Sequence, residues 1–276
     1  MKQRKIFFKV INTLWVGVFG LLFLVPLLWM ISASLKTGPE IFETPFRYFG
    51  DKIRWDNYAA VWADKNVPFW KLYLNSLKIA VVSTALQLII SSMAGYSLAK
   101  INFKGKDLVF VIILVTMMIP AQALIIPRYI LFDWLELYGT HWALILPTMF
   151  NVTSIFLLRQ FYAGLPNDLM EAARIDGANH YGIWWRVMLP LTKTPMVTVV
   201  VLAFINCWNE YLNPLIFITK YELYTVAMGI QYFLYSTDEV NWMMAAASSA
   251  IIPVIILFLF TQKYFIESIA TSGVKG

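Results

Sequence analysis

Six separated runs of about twenty mostly apolar residues constrain this chain more than any other feature. A hydrocarbon layer about 30 Å thick, crossed at about 1.5 Å per residue, needs a helix of about that length. The runs lie at Val10–Ile31, Leu74–Leu98, Leu108–Leu131, Trp142–Phe161, Pro195–Ile218 and Met243–Tyr264. A chain of 276 residues that is 59% hydrophobic, with 20 Phe and 11 Trp, cannot be soluble without exposing very large apolar patches. The expected fold is therefore an all-α polytopic membrane protein with six transmembrane helices. The second and fifth runs carry polar groups, Asn75, Ser76 and Lys78 in one and Asn206, Asn209 and Glu210 in the other. The first follows Met-Lys-Gln-Arg-Lys, as a secretory signal would, but it is too long for a signal's apolar core and reads as an uncleaved anchor.

Cysteine occurs once, at Cys207, and histidine twice, at His141 and His180, so neither a disulfide framework nor a structural zinc site is expected. The excess of Lys and Arg places the loops instead of implying nucleic acid. With the N-terminus inside, the inner segments hold Lys2, Arg4, Lys5 and Lys9, then Lys100, Lys104 and Lys106, then Arg159, Arg174, Arg186 and Lys193, then Lys263 and Lys275. The short outer loops hold Arg128 and Lys220 against Asp133, Glu136, Glu222, Asp238 and Glu239. The first outer segment, Ser34–Leu72, has six basic residues, but long loops weigh little in this rule. Both termini are expected in the cytoplasm. The organisation read from the sequence is a cytoplasmic N-terminus (1–9), a first helix with its external loop (10–72), a transmembrane core (73–264) and a cytoplasmic tail (265–276). A long cytoplasmic loop (162–194) interrupts the core.

That loop contains EAARIDGANHYGIWWRVMLP, Glu171–Pro190, a polar stretch in a chain only 14% charged. Asn167 or Asp168 after Pro166 suits an N-cap, and Asp168 with Glu171 fits capping-box spacing. A short helix should reach Asp176 and stop at Gly177, which accepts the left-handed conformation. A second helix should start near Asn179, carry Ile183, Trp184, Val187 and Met188, and break at Leu189-Pro190. Ala172, Ala173 and Ala178 would form a close-approach face for another protein. Equally, Trp184, Trp185 and Arg186 would anchor an interfacial helix on lipid headgroups.

Glu171-Ala172-Ala173, Gly177 and Val187-x-Leu189-Pro190 together match EAA-x3-G-x9-I-x-LP, with Val in place of the usual Ile. This resembles the signature of permease subunits of bacterial ABC importers, and Asp176-Gly177-Ala178 is typical of the carbohydrate branch. Trp208-Asn209-Glu210-Tyr211 before Pro214-Leu215 is similar to a fifth-helix segment of maltose-type permeases. The end, Gln262-Lys263-Tyr264-Phe265 through Gly273-Val274-Lys275-Gly276, resembles their tail, with Ser268 and Ser272 at positions often held by Gly and another small residue. The six-span layout resembles the MalG-type subunit, with a MetI-like fold in a bacterial inner membrane.

The resemblance implies that Glu171, Ala172, Ala173, Asp176, Gly177, Leu189 and Pro190 couple to a separate ATPase dimer. Glu171 would then contact that ATPase, a role compatible with the capping box. ATP and Mg would be used there, since no Walker A pattern occurs in this chain, which is expected to hold no cofactor and to catalyse nothing. Implied partners are a MalF-like second permease subunit, an extracytoplasmic sugar-binding protein and membrane lipid.

An ionisable group in mid-membrane is costly unless it pairs or meets water, so Glu210 should face the bundle interior. Asn206, Asn209 and Asn213 recur beside it at helical spacing, for translocation or for interhelical hydrogen bonds. Asn75, Asn209, Glu210, Tyr211 and Asn213 are the candidate substrate-pathway residues. Lys78 should snorkel to the outer interface. Pro120, Pro127 and Pro147 should interrupt their spans, as tolerated kinks or as parts of an opening pathway. The tyrosine-rich segment Tyr221–Trp242 reads equally as an external lid or as an arm toward the binding protein. Two further classes remain open. An ion-coupled secondary transporter would need coupling-ion residues and repeat symmetry. A membrane-embedded enzyme would need a His, Cys or paired-carboxylate cluster inside the spans.

Overall fold

The computed structural model describes residues 2–45, 47–236 and 239–273. Asp238 and the final Val274, Lys275 and Gly276 lie outside the described residues, as do the side chains of Lys2, Arg4, Lys5, Lys9, Ser268 and Ser272. Among the described residues the regular structure is entirely helical. Four helices are long and apolar enough to cross a membrane: Val10–Ser34, Phe69–Lys100, Trp142–Ala163 and Val240–Phe265. Two more spans exist only if bent pairs are counted as one each. These pairs are Lys106–Met118 with Ala121–Trp134, bent by 92°, and His180–Leu191 with Lys193–Asn209, bent by 85°.

Prolines explain where the expected spans give way. Pro120 forces Ile119 out of the helical region, to φ −83° and ψ 114°, and this splits the third run. Pro147 lies just before the helix Trp142–Thr148 ends, and the chain restarts at Asn151, whose side chain accepts from the Ser154 N–H at 2.9 Å. The fifth run was expected to be continuous to Ile218. Instead the helix Lys193–Asn209 stops, Glu210 is extended, and a short helix Leu212–Phe217 follows. Pro214 would clash with the carbonyl of Glu210, four residues back, had the helix continued. Pro127 falls in the first turn of Ile125–Trp134, where its missing N–H leaves no helical bond unmade.

The chain forms two compact units, residues 1–70 with 229–252 and residues 71–228 with 253–276. In the first, the Val10–Ser34 span buries almost nothing and presents its apolar side chains outward. Its C-terminal end is stapled by buried Asn57, which donates to the carbonyls of Ser34 and Lys36 at 2.9 Å each and accepts from Asn241 at 3.0 Å. Phe69 and Phe233 pack ring against ring and are fully buried in this unit, as are Val61 and Val67. Glu40 accepts from the Thr37 N–H and hydroxyl, both at 2.8 Å, and from the Asp51 N–H at 3.1 Å.

The second unit has two clusters. Ile79, Phe132, Leu144, Ile145 and Phe217 form one. Beside it the start of the tyrosine-rich segment is tied down. Asn75 donates to the carbonyls of Glu222 and Tyr224, Ser76 accepts from the Val226 N–H, and His141 Nε2–H donates to Leu223. Lys78 is exposed nearby. The other cluster comprises Tyr96, Leu158, Tyr162, Met170, Ile183, Met188 and Val199. At its flank the helices Phe69–Lys100 and Val152–Ala163 meet at Gly95, where an added Cβ would lie 2.9 Å from the Arg159 nitrogen. Small residues permit this kind of backbone approach in membrane helices.

Gly95→Ala is therefore expected to destabilise the detergent-solubilised protein by about 1–3 kcal/mol, read as a lowered thermal midpoint. Gly164→Ala, where the nearest atom is 3.5 Å away, should change it by less than about 0.5 kcal/mol. The three donors around Glu40, those of Thr37 first, hold its carboxyl below the usual value of 4.5. Its contribution to loop order is thus complete above pH 4.5 and lost as pH falls below that through the depressed value. Hydrogen exchange of residues 37–51 should stay constant from pH 7 to about 5 after intrinsic-rate correction and rise only in stronger acid.

Candidate functional site

The loop after Val152–Ala163 is held before it turns. Lys100, at the end of its helix, donates to the Leu165 carbonyl at 2.5 Å and to Asn167 Oδ1 at 2.7 Å. Asn167 sits at the N-cap of the helix Asp168–Ile175 but has helical angles and makes no side-chain cap bond. The expected capping box is thus absent, because the Asn167 oxygen is taken by the Lys100 ammonium and Asp168 already lies inside the helix. Glu171 is exposed, and its carboxylate has no partner among the described residues. The helix stops where expected. Gly177 has φ +80°, its N–H donates to Arg174, and the Ala178 N–H donates to Ala173, both at 2.9 Å. This is a Schellman turn, and the glycine is required by its sign of φ. Asn179 then caps the next helix by accepting from the Gly182 N–H at 2.8 Å.

Beyond it, His180–Ile183 continues through a wide π turn, Trp184–Met188, into Leu189–Leu191. The break expected at Leu189-Pro190 does not occur. The wide turn comes before Pro190 and carries the helix past its missing N–H, and the bend falls at Thr192. Thr192, buried, donates to the Met188 carbonyl at 2.9 Å. Trp184 Nε1–H donates to Ser92 Oγ at 2.8 Å, and Ser92 lies 2.9 Å from the Tyr162 hydroxyl.

Two faces result. Met170, Ile183 and Met188 are buried, and Ala173, Ala178, Trp184 and Val187 pack against them. Ala173 and Ala178 therefore face inward and do not join Ala172 in an alanine docking face. The spacing of Met170 and Ala173, three apart, carried that signal. Facing outward are Glu171, Ala172, Arg174, Ile175, Asp176 and Gly177, with Ile175 86% exposed. Leu189 is half-buried, and Pro190, Trp185 and Arg186 are exposed.

Residues at or next to three helix interruptions, Ala121 after Pro120, Phe150 with Asn151, and Glu210, line one cavity of about 340 Å³. Glu210 and Asn213 line it, with Asn206, Asn151, Gln87 and Arg128. Arg128 donates to Asn213 Oδ1 and lies over the Phe217 ring, 5.0 Å from its centroid. The Asn213 N–H in turn donates to Glu210 Oε1 at 3.1 Å. Arg128, counted among the outer-loop charges, lies on the helix Ile125–Trp134, in the second arm of the bent pair formed by the third run. Of the other pathway candidates, Asn75 ties down the Glu222–Tyr224 carbonyls, Tyr211 packs on the Phe132 cluster, and Asn209 is exposed; none of these lines the cavity. Helical spacing had grouped Asn206, Asn209 and Asn213, but the break at Glu210 brings only Asn206 and Asn213 together.

Residues 87–271 match the family model described as "Binding-protein-dependent transport system inner membrane component". The chain is 36% identical to the arabinooligosaccharides transport system permease protein AraQ of Bacillus subtilis (strain 168), over 98% of this chain and 96% of that protein. It is 32% identical to the sn-glycerol-3-phosphate transport system permease protein UgpE of Pectobacterium atrosepticum, over 93% of each. A chain from the crystal structure of a bacterial ABC transporter that imports the acidic polysaccharide alginate superposes with a TM-score of 0.82. The two are 26% identical, over 94% of this chain and 96% of the other.

Replacing Gly177 with Ala places a side chain at positive φ, which costs about 1–2 kcal/mol. Faster hydrogen exchange confined to residues 168–183 is the expected result. Lys100→Met should release the Leu165–Asn167 entry and raise exchange there without changing the Gly177 turn.

Proposed function

This chain belongs to the family of binding-protein-dependent transport system inner membrane components, and from that premise we propose how it works. It is the transmembrane permease subunit of an ATP-driven sugar importer and forms half of the translocation pathway. AraQ-type relatives, named for arabino-oligosaccharides, support an oligosaccharide or glycoside as cargo. An ion-coupled secondary transporter, left open by the residues alone, does not fit this family.

The outward face Glu171–Gly177 is the contact for a separate ATPase dimer, and the observation that carries this is its one-sided anchoring. Its inner side is locked to the helices ending at Lys100 and Ala163. Its outer side offers an unpartnered carboxylate beside an exposed Ile175. That combination suits a groove with a polar rim. Ala172, Asp176, Gly177, Leu189 and Pro190 belong to the contact, whereas Ala173 packs inward and keeps its shape. ATP and Mg act in the ATPase, and this chain catalyses nothing itself. A MalF-like second permease completes the pathway, and an extracytoplasmic binding protein delivers sugar. Both termini and residues 162–194 lie in the cytoplasm, and six spans result when each bent pair counts as one.

The test is uptake by the assembled transporter together with retention of the ATPase on purification. Glu171→Ala removes one charge-assisted contact, worth about 1.5–3 kcal/mol, and should weaken ATPase retention about tenfold or more. Glu171→Ala combined with Gly177→Pro should abolish sugar uptake while the chain still reaches the membrane. Uptake and ATPase retention unchanged in the double variant would rule this contact out.

A further inference from the structure

We propose that the 340 Å³ cavity is a binding subsite for an uncharged, hydroxyl-rich sugar, with Arg128 as donor and Glu210 as acceptor. This rests on the sugar-permease reading above and adds a site and a charge preference to it. The volume lies at the lower end of the range of about 300–1,000 Å³ typical of small-molecule sites. Apolar walls from Ile79, Leu144 and Phe150 face several polar groups, the usual mixture in such sites.

The charge arrangement decides the ligand class. Arg128 and Glu210 are the only charged side chains among the described residues lining the cavity, and they form no ion pair within 4.0 Å. Asn213 stands between them, accepting from the guanidinium through Oδ1 and donating to the carboxylate through its backbone N–H. A donor and an acceptor are thereby fixed side by side without quenching each other by contact. The Phe217 ring fixes the guanidinium further, and Arg128 Nε is buried with no hydrogen-bond partner among the described residues. A carboxylate or phosphate ligand would gain from Arg128 but meet the Glu210 carboxylate, and the cavity's net charge offers it no attraction. A hydroxyl both gives and accepts, so neighbouring sugar hydroxyls use Arg128 and Glu210 at once. Asn206 and Asn151 supply further polar contacts around them.

Cys207, the only cysteine in the chain, lines the same cavity and provides the readout. In the assembled, detergent-solubilised transporter, with partner-subunit cysteines removed, the rate of Cys207 modification by a small methanethiosulfonate is measured. The probes are a pool of neutral arabino- and malto-oligosaccharides and a uronic-acid oligosaccharide of equal length. The neutral pool should slow modification and the uronate should not. Arg128→Gln should raise the half-protecting concentration of the neutral pool about tenfold, the effect of losing one hydrogen bond to a charged group. Glu210→Gln leaves the cavity net positive and should let the uronate protect, a gain that misfolding cannot produce. The charge preference is overturned if the uronate protects the unaltered chain as well as the neutral pool does, or if Glu210→Gln gains no uronate protection. If ATP-dependent import of the neutral pool occurs but no sugar protects Cys207, the subsite is wrong and the permease reading stands. If neither probe is imported with ATP and binding protein present, the sugar-permease reading itself falls.

Discussion

In a hydrocarbon layer no water is available to satisfy a backbone N–H or C=O, so a helix can be interrupted only where protein or a polar cavity receives the freed groups. This chain interrupts three of its apolar segments, near Pro120, Pro147 and Pro214, and residues at or next to all three interruptions line the same cavity. The constraint explains why the polar residues of the fifth segment are where they are. Glu210 is extended because Pro214 stops the helix, and its carboxylate then accepts from the N–H of Asn213. Arg128 is tolerated in an apolar stretch because Asn213 and the Phe217 ring receive it. A polar cluster and a set of helix breaks are thus one feature, each supplying what the other needs.

The loop 162–194 obeys a different rule, since one side of it is exposed. Its amphipathic helix Asp168–Ile175 is too short to be stable alone and depends on Met170 and Ala173 packing against Tyr96, Tyr162 and their neighbours. Side-chain hydrogen bonds reinforce this docking at each end, Lys100 at the entry and Trp184 with Ser92 at the exit. A segment fixed on one face and bare on the other can pass a displacement to the helices behind it, because close-packed interiors transmit strain without absorbing it.

Much of this was legible in the residues. The apolar runs located the helices, and Gly177 with its neighbours announced both a helix stop and, through the resemblance, a family. The errors have a common physical origin. Hydropathy treats a run as continuous, so it could not show that the fifth run breaks at Glu210, ahead of Pro214, whereas Pro120 did announce the interruption of the third run. Local capping rules see only nearby sequence, and Lys100, 67 positions away, overrides the cap at Asn167. The bond from Arg128 to Asn213, 85 positions distant, was equally invisible. Pairings at such separations leave no trace in a periodic pattern. The inward turn of Ala173 was different, since its spacing from Met170 was visible and was outweighed by the small size of the neighbouring alanines.

The corner at Thr192 has a mechanical meaning. Two helices, His180–Leu191 and Lys193–Asn209, meet there at 85°, and the hydroxyl of buried Thr192 is bonded back to Met188. Two stiff arms joined near a right angle form a bell crank: a push along one arm becomes a sideways sweep of the other, with the pivot's stiffness setting how much is delivered. The far arm ends at Asn209, one residue before the broken turn that carries Glu210. A push on the arm His180–Leu191 is thereby turned toward the end of the other arm, beside Glu210.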